Sequence, residues 1–264
     1  MTASRFDIPW RATFTITSFV CFGAGSLVLG LVWFPFVHLI VANRANAQRT
    51  CRKSVHHCFR LFIELLKTTG VLSYQISGRH NLLSGQLIVA NHPSLIDVIF
   101  IGAQISDAHY VVKEGIRRNF FTSLIVRWTG WVSSSDPEQM IEQCVRILEG
   151  GGKVVMFPEG TRTVPGRNLS FKRGASIVFL KSGCNLVPAY LQISPQTLAK
   201  GQAWFKPAEH KIQYQMDIGR PLALPEIMPE EGSERHNTRI CTARLQELFV
   251  DKFRHKDTNG KSPR

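Results

Sequence analysis

Two short stretches carry side chains able to do chemistry, and each follows an apolar run. The first reads Leu87-Ile88-Val89-Ala90-Asn91-His92-Pro93-Ser94-Leu95-Ile96-Asp97. Its four leading apolar residues suit a buried strand, and Pro93, with φ fixed, suits the first position of a helix over Ser94–Gln104. His92 then stands at or just before the cap, with Asp97 in the second turn. On one continuous helix, residues five apart point about 140° away from each other. A His92 on the preceding turn can instead fold back over the helix start and reach Asp97. An imidazole held by a carboxylate in this way has its tautomer fixed and its basicity raised, as a general base requires. The competing reading is structural: His92 caps the helix and Asp97 is solvated.

The second stretch reads Lys153-Val154-Val155-Met156-Phe157-Pro158-Glu159-Gly160-Thr161-Arg162. A buried strand again ends abruptly, in a turn where Pro158 and Gly160 flank an acid. Gly160 permits close backbone approach to a ligand, and Arg162 suits bidentate binding of a phosphate. Lys172 and Arg173, just before Gly174, add positive charge near the start of the next helix. Here the structural alternative is that Glu159 and Arg162 pair with each other.

Together the two stretches, NHPSLID and FPEGTR, resemble the glycerolipid acyltransferase family, whose best-known type is 1-acyl-glycerol-3-phosphate acyltransferase. The resemblance runs from about Tyr74 to Gly219 and includes the later block Val187-Pro188-Ala189-Tyr190. It implies a membrane-bound enzyme that transfers an acyl chain without a covalent enzyme intermediate and without metal or cofactor. His92 would act as general base on an acceptor hydroxyl, oriented by Asp97. The donor would be acyl-CoA or acyl-carrier protein, and the acceptor a lysolipid, foremost lysophosphatidic acid. Glu159, Gly160, Thr161 and Arg162 match the acceptor-binding motif, and Val187 and Pro188 a block assigned to the donor side or to packing. One block departs: Ser133-Ser134-Ser135-Asp136 stands where the family has an Arg that helps bind the acceptor phosphate. Either Lys113, Arg117 or Arg118 supplies that contact, or the acceptor is another lipid hydroxyl lacking the phosphate.

The elements that must position these residues alternate. β-rich runs lie at Tyr74–Ser77, Gln86–Ala90, His109–Lys113, Lys153–Phe157, Leu186–Leu191 and Ile212–Ile218. Helical stretches lie near Ser94–Gln104, Arg118–Trp128, Pro137–Leu148 and Lys172–Lys181, and a last one carries Ile240, Leu245, Leu248, Phe249 and Phe253. This alternation predicts an α/β fold, a mixed and mostly parallel sheet flanked by helices. The stripe Phe120, Phe121, Leu124, Ile125, Trp128 fits core packing, with an acyl-chain groove as the alternative.

Ahead of this body, Ala12 to Asn43 is a run of 32 residues without Asp, Glu, Lys or Arg. A span needs about 20 apolar residues, so the run is long enough for a membrane-anchoring helix and too long for a cleaved signal peptide. Pro35 predicts a break, giving a span over Ala12–Phe34 or two half-helices, with Gly23, Gly25 and Gly30 permitting close packing. Arg44, Arg49, Arg52 and Lys53 behind the run place the body on the cytoplasmic face. Cys51, Val55, Cys58, Phe59, Phe62, Ile63 and Leu66 recur at helical spacing, either on an interfacial amphipathic helix or on an ordinary domain helix. The reading is thus an anchor and amphipathic helix over 1–70, an acyltransferase domain over 71–255 and a polar tail over 256–264.

Composition agrees with this reading and excludes others. Hydrophobic residues make up 44% and charged ones 19%, which rules out a disordered chain. Six Cys without a paired motif exclude a disulfide scaffold. The net charge of +13 calls for an anionic partner, and no nucleic-acid motif is present. Serine-hydrolase, P-loop, dinucleotide and zincin signatures are missing as well. Cys51, His56, His57 and Cys58 lack a second ligand pair for zinc. A non-catalytic module holding anionic lipid is the remaining rival, and intact His92, Asp97 and Glu159 argue against it.

Overall fold

The protein is described here from a computed structural model covering residues 7–115, 120–164, 168–228 and 232–259. Its strands are β1 (Leu72–Ser77), β2 (Gln86–Ala90), β3 (Ala108–Val112), β4 (Val132–Ser133), β5 (Lys153–Met156), β6 (Asn185–Ser194) and β7 (Ile212–Ile218). They form one seven-stranded sheet in the order β1-β7-β6-β2-β5-β3-β4. Every neighbouring pair is parallel except β6 with β7. β2 is buried along its whole length and β5 over Val154–Met156, as continuous apolar strands covered on both faces must be. β4, two residues long, is too short to show a period in the sequence.

The helices are α1 (Asp7–Val28), α2 (Phe34–Ile40), α3 (Arg44–Thr68), α4 (Asp97–Gly102), α5 (Phe120–Thr129), α6 (Pro137–Glu149), α7 (Gly174–Ser182), α8 (Leu224–Ile227) and α9 (Glu234–Asn259). One core joins α3 and α4 to one face of the sheet, and the other packs α6, α7 and α9 on the opposite face. α9 runs on to Asn259, past the start expected for a polar tail, and residues 260–264 lie outside those described.

The boundary expected at residue 70 does not separate two cores. Cys51, Val55, Phe59, Phe62, Ile63 and Leu66 of α3 are buried in the same cluster as the strands. Arg52 is buried with them, bonded to Asp107 and to the Thr129 carbonyl, and Arg49 pairs with Asp107 at 3.1 Å. Two of the four cations behind the apolar run are therefore spent on one carboxylate.

Pro35 does not break the apolar run. A π-turn over Leu29–Trp33 joins α1 to α2, with Pro35 at the start of α2. Opening the helix by one residue per turn makes room for a ring that an α-helix would press against the preceding carbonyl. The stretch Pro9–Ile40 is long and apolar enough to cross a membrane, with mean hydropathy 2.0, and only 17% of its most apolar window is buried. It also lies against the domain. Phe19 and Phe22 meet Phe62, and Arg11 Nη2 donates to the Glu209 carbonyl at 2.8 Å. Of the three glycines expected to allow close packing, only Gly30 does so, facing Leu124 of α5; Gly23 and Gly25 face open space.

Candidate active site

The two chemical stretches emerge side by side. β2 and β5 are parallel neighbours, with Val89 opposite Met156, so the turns after Ala90 and after Met156 leave the same sheet edge. Ligand sites in α/β sheets gather at this carboxyl end of the strands.

The His92 turn is longer than expected. α4 starts at Asp97, and Pro93 lies in the turn before it rather than in its first residue. The extra turn lets the imidazole fold back, and His92 Nδ1 lies 2.8 Å from Asp97 Oδ2. Asp97 is fully buried. Its Oδ2 also accepts from the Ser94 amide at 2.7 Å, and its Oδ1 accepts from the Tyr214 hydroxyl at 2.9 Å. Burial pushes the Asp97 carboxyl up from the usual range, while the bonds from His92, Ser94 and Tyr214 oppose that shift. Because a carboxylate only accepts, this network assigns the proton to His92 Nδ1 and leaves Nε2 as the acceptor. The imidazole stacks on Phe157 with ring centroids 4.4 Å apart, and its side chain is 16% exposed.

Glu159 and Arg162 do not pair. Glu159 Oε1 accepts from the His92 amide at 2.8 Å and from the Thr163 hydroxyl at 2.9 Å, while the Thr163 amide donates to the His92 carbonyl. The Glu159 carboxylate thus fastens the two turns together, and burial raises its pKa. Arg162 turns away, with Nη1 donating to the carbonyls of Leu198 at 2.8 Å and Ala199 at 3.0 Å. Among the described residues, its Nε and Nη2 have no protein partner.

Gly160 adopts φ +64°, and a Cβ there would lie 3.2 Å from the stem of Lys172. The Lys172 amide donates to the Pro158 carbonyl, and Arg173 stands exposed as the N-cap of α7. Lys172 lies against this turn, and Lys113 has its pKa lowered by partial burial first and then by the charges of Lys172 and Lys200. Arg117 and Arg118, the other expected substitutes for the missing Arg, lie outside the described residues. Asp136, found where that Arg was expected, caps α6, its Oδ1 accepting from the amides of Glu138 and Gln139.

Val187, Pro188 and Ala189 are buried on β6, beside Ile88, Val89 and Ala90 of β2, which fits packing. In the α5 stripe, Leu124 packs against Gly30, and Trp128 lies 4.7 Å from the His38 ring. The motifs did not point to Tyr214, Ser94, Thr163 or Asn91. Asn91 bonds both the amide and the carbonyl of Leu191, tying the end of β2 to β6. Tyr214 had one legible signal: it sits at a buried position of an alternating strand, where a phenol needs a partner.

Residues 73–192 match a family model described as acyltransferase. The chloroplastic 1-acyl-sn-glycerol-3-phosphate acyltransferase of Arabidopsis thaliana is 27% identical over 190 residues, covering 66% of this chain and 49% of that one. The Bacillus subtilis protein named 1-acyl-sn-glycerol-3-phosphate acyltransferase is 29% identical over 172 residues, 62% of this chain and 81% of its own. The chain spans about half the length of the plant relatives it matches. The crystal structure of the 1-acyl-sn-glycerophosphate acyltransferase from Thermotoga maritima has a TM-score of 0.67 to this chain at 17% identity. That match covers 98% of this chain and 99% of the other, so the two share a fold.

Proposed function

This chain belongs to the glycerolipid acyltransferase family, and from that premise we propose that it esterifies the free hydroxyl of lysophosphatidic acid, taking the acyl group from a thioester donor. The observation that carries the reading is the partly exposed His92 held at 2.8 Å by the buried Asp97, set beside the Glu159 turn at the carboxyl end of β2 and β5.

His92 Nε2 takes the acceptor hydroxyl proton as the oxygen attacks the thioester carbonyl. Asp97 holds the ring and offsets the imidazolium charge that forms. The tetrahedral intermediate collapses with cleavage of the C–S bond, and the leaving sulfur takes the proton back from His92. General-base catalysis of this kind contributes about 10²–10⁴-fold. Lys113, Lys172 and Lys200, with the remaining donors of Arg162, form the receptor for the acceptor phosphate, and a dianion there relieves the repulsion among the lysines. Glu159, with Gly160 and Thr161 beside it, positions the turn that carries this receptor. The donor is acyl-CoA or acyl-carrier protein, whose thioester already carries the activation, so no cofactor is invoked. The apolar stretch Pro9–Ile40 supports a membrane location, and Arg44 and Lys53 after it support a body on the cytoplasmic face.

Mass spectrometry of products from a panel of lysolipids and acyl thioesters tests the reading. Phosphatidic acid is the expected product, and His92→Ala is expected to abolish it while leaving fold and membrane binding intact. Lys113→Ala should raise KM for lysophosphatidic acid and leave KM for a phosphate-free lysolipid unchanged. Turnover of phosphate-free lysolipid alone would move the acceptor to that class.

A further inference from the structure

The segment between β6 and β7 is more than a connection. From Pro195 to Ala208 it contains no acid, and its middle reads Lys200-Gly201-Gln202-Ala203-Trp204-Phe205-Lys206. Gly201 at φ +84° and the bonds Gln202 N to Ala199 O and Lys206 N to Ala203 O fold this into consecutive turns. Trp204 and Phe205 stand at its tip, 42% and 54% exposed, with their rings 5.7 Å apart. Two large aromatic rings side by side in water require a reason. Lys200 and Lys206 flank them in the loop and Lys211 follows just before β7, all three exposed. The inner side of Trp204 meets Phe19 of α1 at 5.8 Å, next to the exposed Ile16 and Val20. The tip therefore continues the apolar flank of the N-terminal helix.

The root of the same loop is bonded to the active site. Leu95 N donates to the Leu198 carbonyl, Ser94 Oγ to the Thr197 carbonyl, and Gln196 Nε2 to the Pro93 carbonyl. Arg162 grips the carbonyls of Leu198 and Ala199 from the other turn. Whatever the tip touches is thus linked through a few residues to both His92 and the phosphate-receptor turn.

We propose that the Trp204–Phe205 tip is a second membrane contact, beside the N-terminal helix on which Trp204 packs, that inserts its rings at the interface of an anionic bilayer and holds the mouth of the active site against the lipid surface. Aromatic rings settle at the headgroup boundary, and neighbouring lysines meet the negative surface potential of anionic lipid. The inference rests on the membrane location proposed above.

The test uses the full chain and its Trp204→Phe variant with vesicles of phosphatidylcholine, alone or mixed with phosphatidylglycerol, carrying acyl chains brominated near the headgroup. The difference in tryptophan quenching between the two proteins isolates Trp204. The expected result is quenching at Trp204 several-fold stronger on the phosphatidylglycerol vesicles, with that preference lost in the K206E/K211E variant. A chain that sediments with the vesicles while Trp204 stays unquenched overturns the loop contact and leaves the membrane location standing. Equal quenching on both vesicle types overturns the anionic partner. A chain that does not sediment with either removes the membrane location and this inference together.

Discussion

Asp97 is a buried carboxylate whose donors are an amide, a phenol and an imidazole, so its ionised form depends on three neutral hydrogen bonds until His92 gains a proton. Each bond to a buried charge is worth about 1.5–3 kcal/mol. Tyr214→Phe removes one of them without changing the ring volume. The Tyr214 bond favours the ionised carboxylate, so its loss raises the Asp97 pKa further. The acid limb of kcat/KM is then expected to move to higher pH, with kcat falling more than KM rises. A pH–rate profile of both proteins checks this, and an unchanged profile with only a lower melting temperature would make Tyr214 purely structural. Asp97→Asn keeps the shape but offers His92 an amide, which no longer fixes the Nδ1–H tautomer. We expect kcat to fall by a factor on the order of 10²–10⁴ with fold retained.

At the scale of elements, the N-terminal helix is joined to the body by contacts that composition does not reveal. A Cβ on Gly30 would lie 2.6 Å from Leu124 Cβ, whereas Gly23 and Gly25 meet nothing within 4 Å. Overpacking of this kind costs about 1–3 kcal/mol, while Gly→Ala in an open helix position gains about 0.5–1 kcal/mol. Gly30→Ala should therefore lower the unfolding midpoint in detergent, and Gly23→Ala and Gly25→Ala should raise it slightly. Hydrogen exchange should show the loss concentrated in α1 and α5. The strands and amphipathic helices were readable in the sequence because their periods are local and strong. The continuation of the helix past Pro35 was not, because a single π-turn absorbs the ring and leaves no periodic trace. Nor was the start of α4 at Asp97: Pro93 fits a helix N-terminus as well as the turn before one.

Across the whole molecule, the motifs pick out the candidate residues but not what holds them. His92 and Asp97 are five residues apart, and their meeting follows from one turn. Tyr214 reaches Asp97 across 117 residues, Asn91 reaches Leu191 across 100, and Arg162 reaches Leu198 across 36, distances at which only sheet order brings partners together. The same order buries groups that the catalytic scheme does not use and that set the pH range of the fold. His109 of β3 has its pKa pushed down to about 4 by burial, with Arg52 lowering it further, while the Gly130 carbonyl and Asp107 oppose the shift. His56 is lowered too, chiefly by burial, despite its bond to the Gly102 carbonyl. Both are neutral in the folded chain at a pH where the unfolded chain binds protons. These two groups therefore make stability rise with pH between about 4 and the ordinary imidazole value near 6.5, while the raised carboxyls of Asp97 and Glu159 act in the opposite direction. His109→Gln keeps a donor for the Gly130 carbonyl and cannot titrate. Its melting temperature should fall less steeply than that of the unaltered chain across the window, with the two slopes agreeing above it. Parallel slopes throughout would mean that His109 does not lose its proton on folding, and the acid sensitivity would then belong to His56.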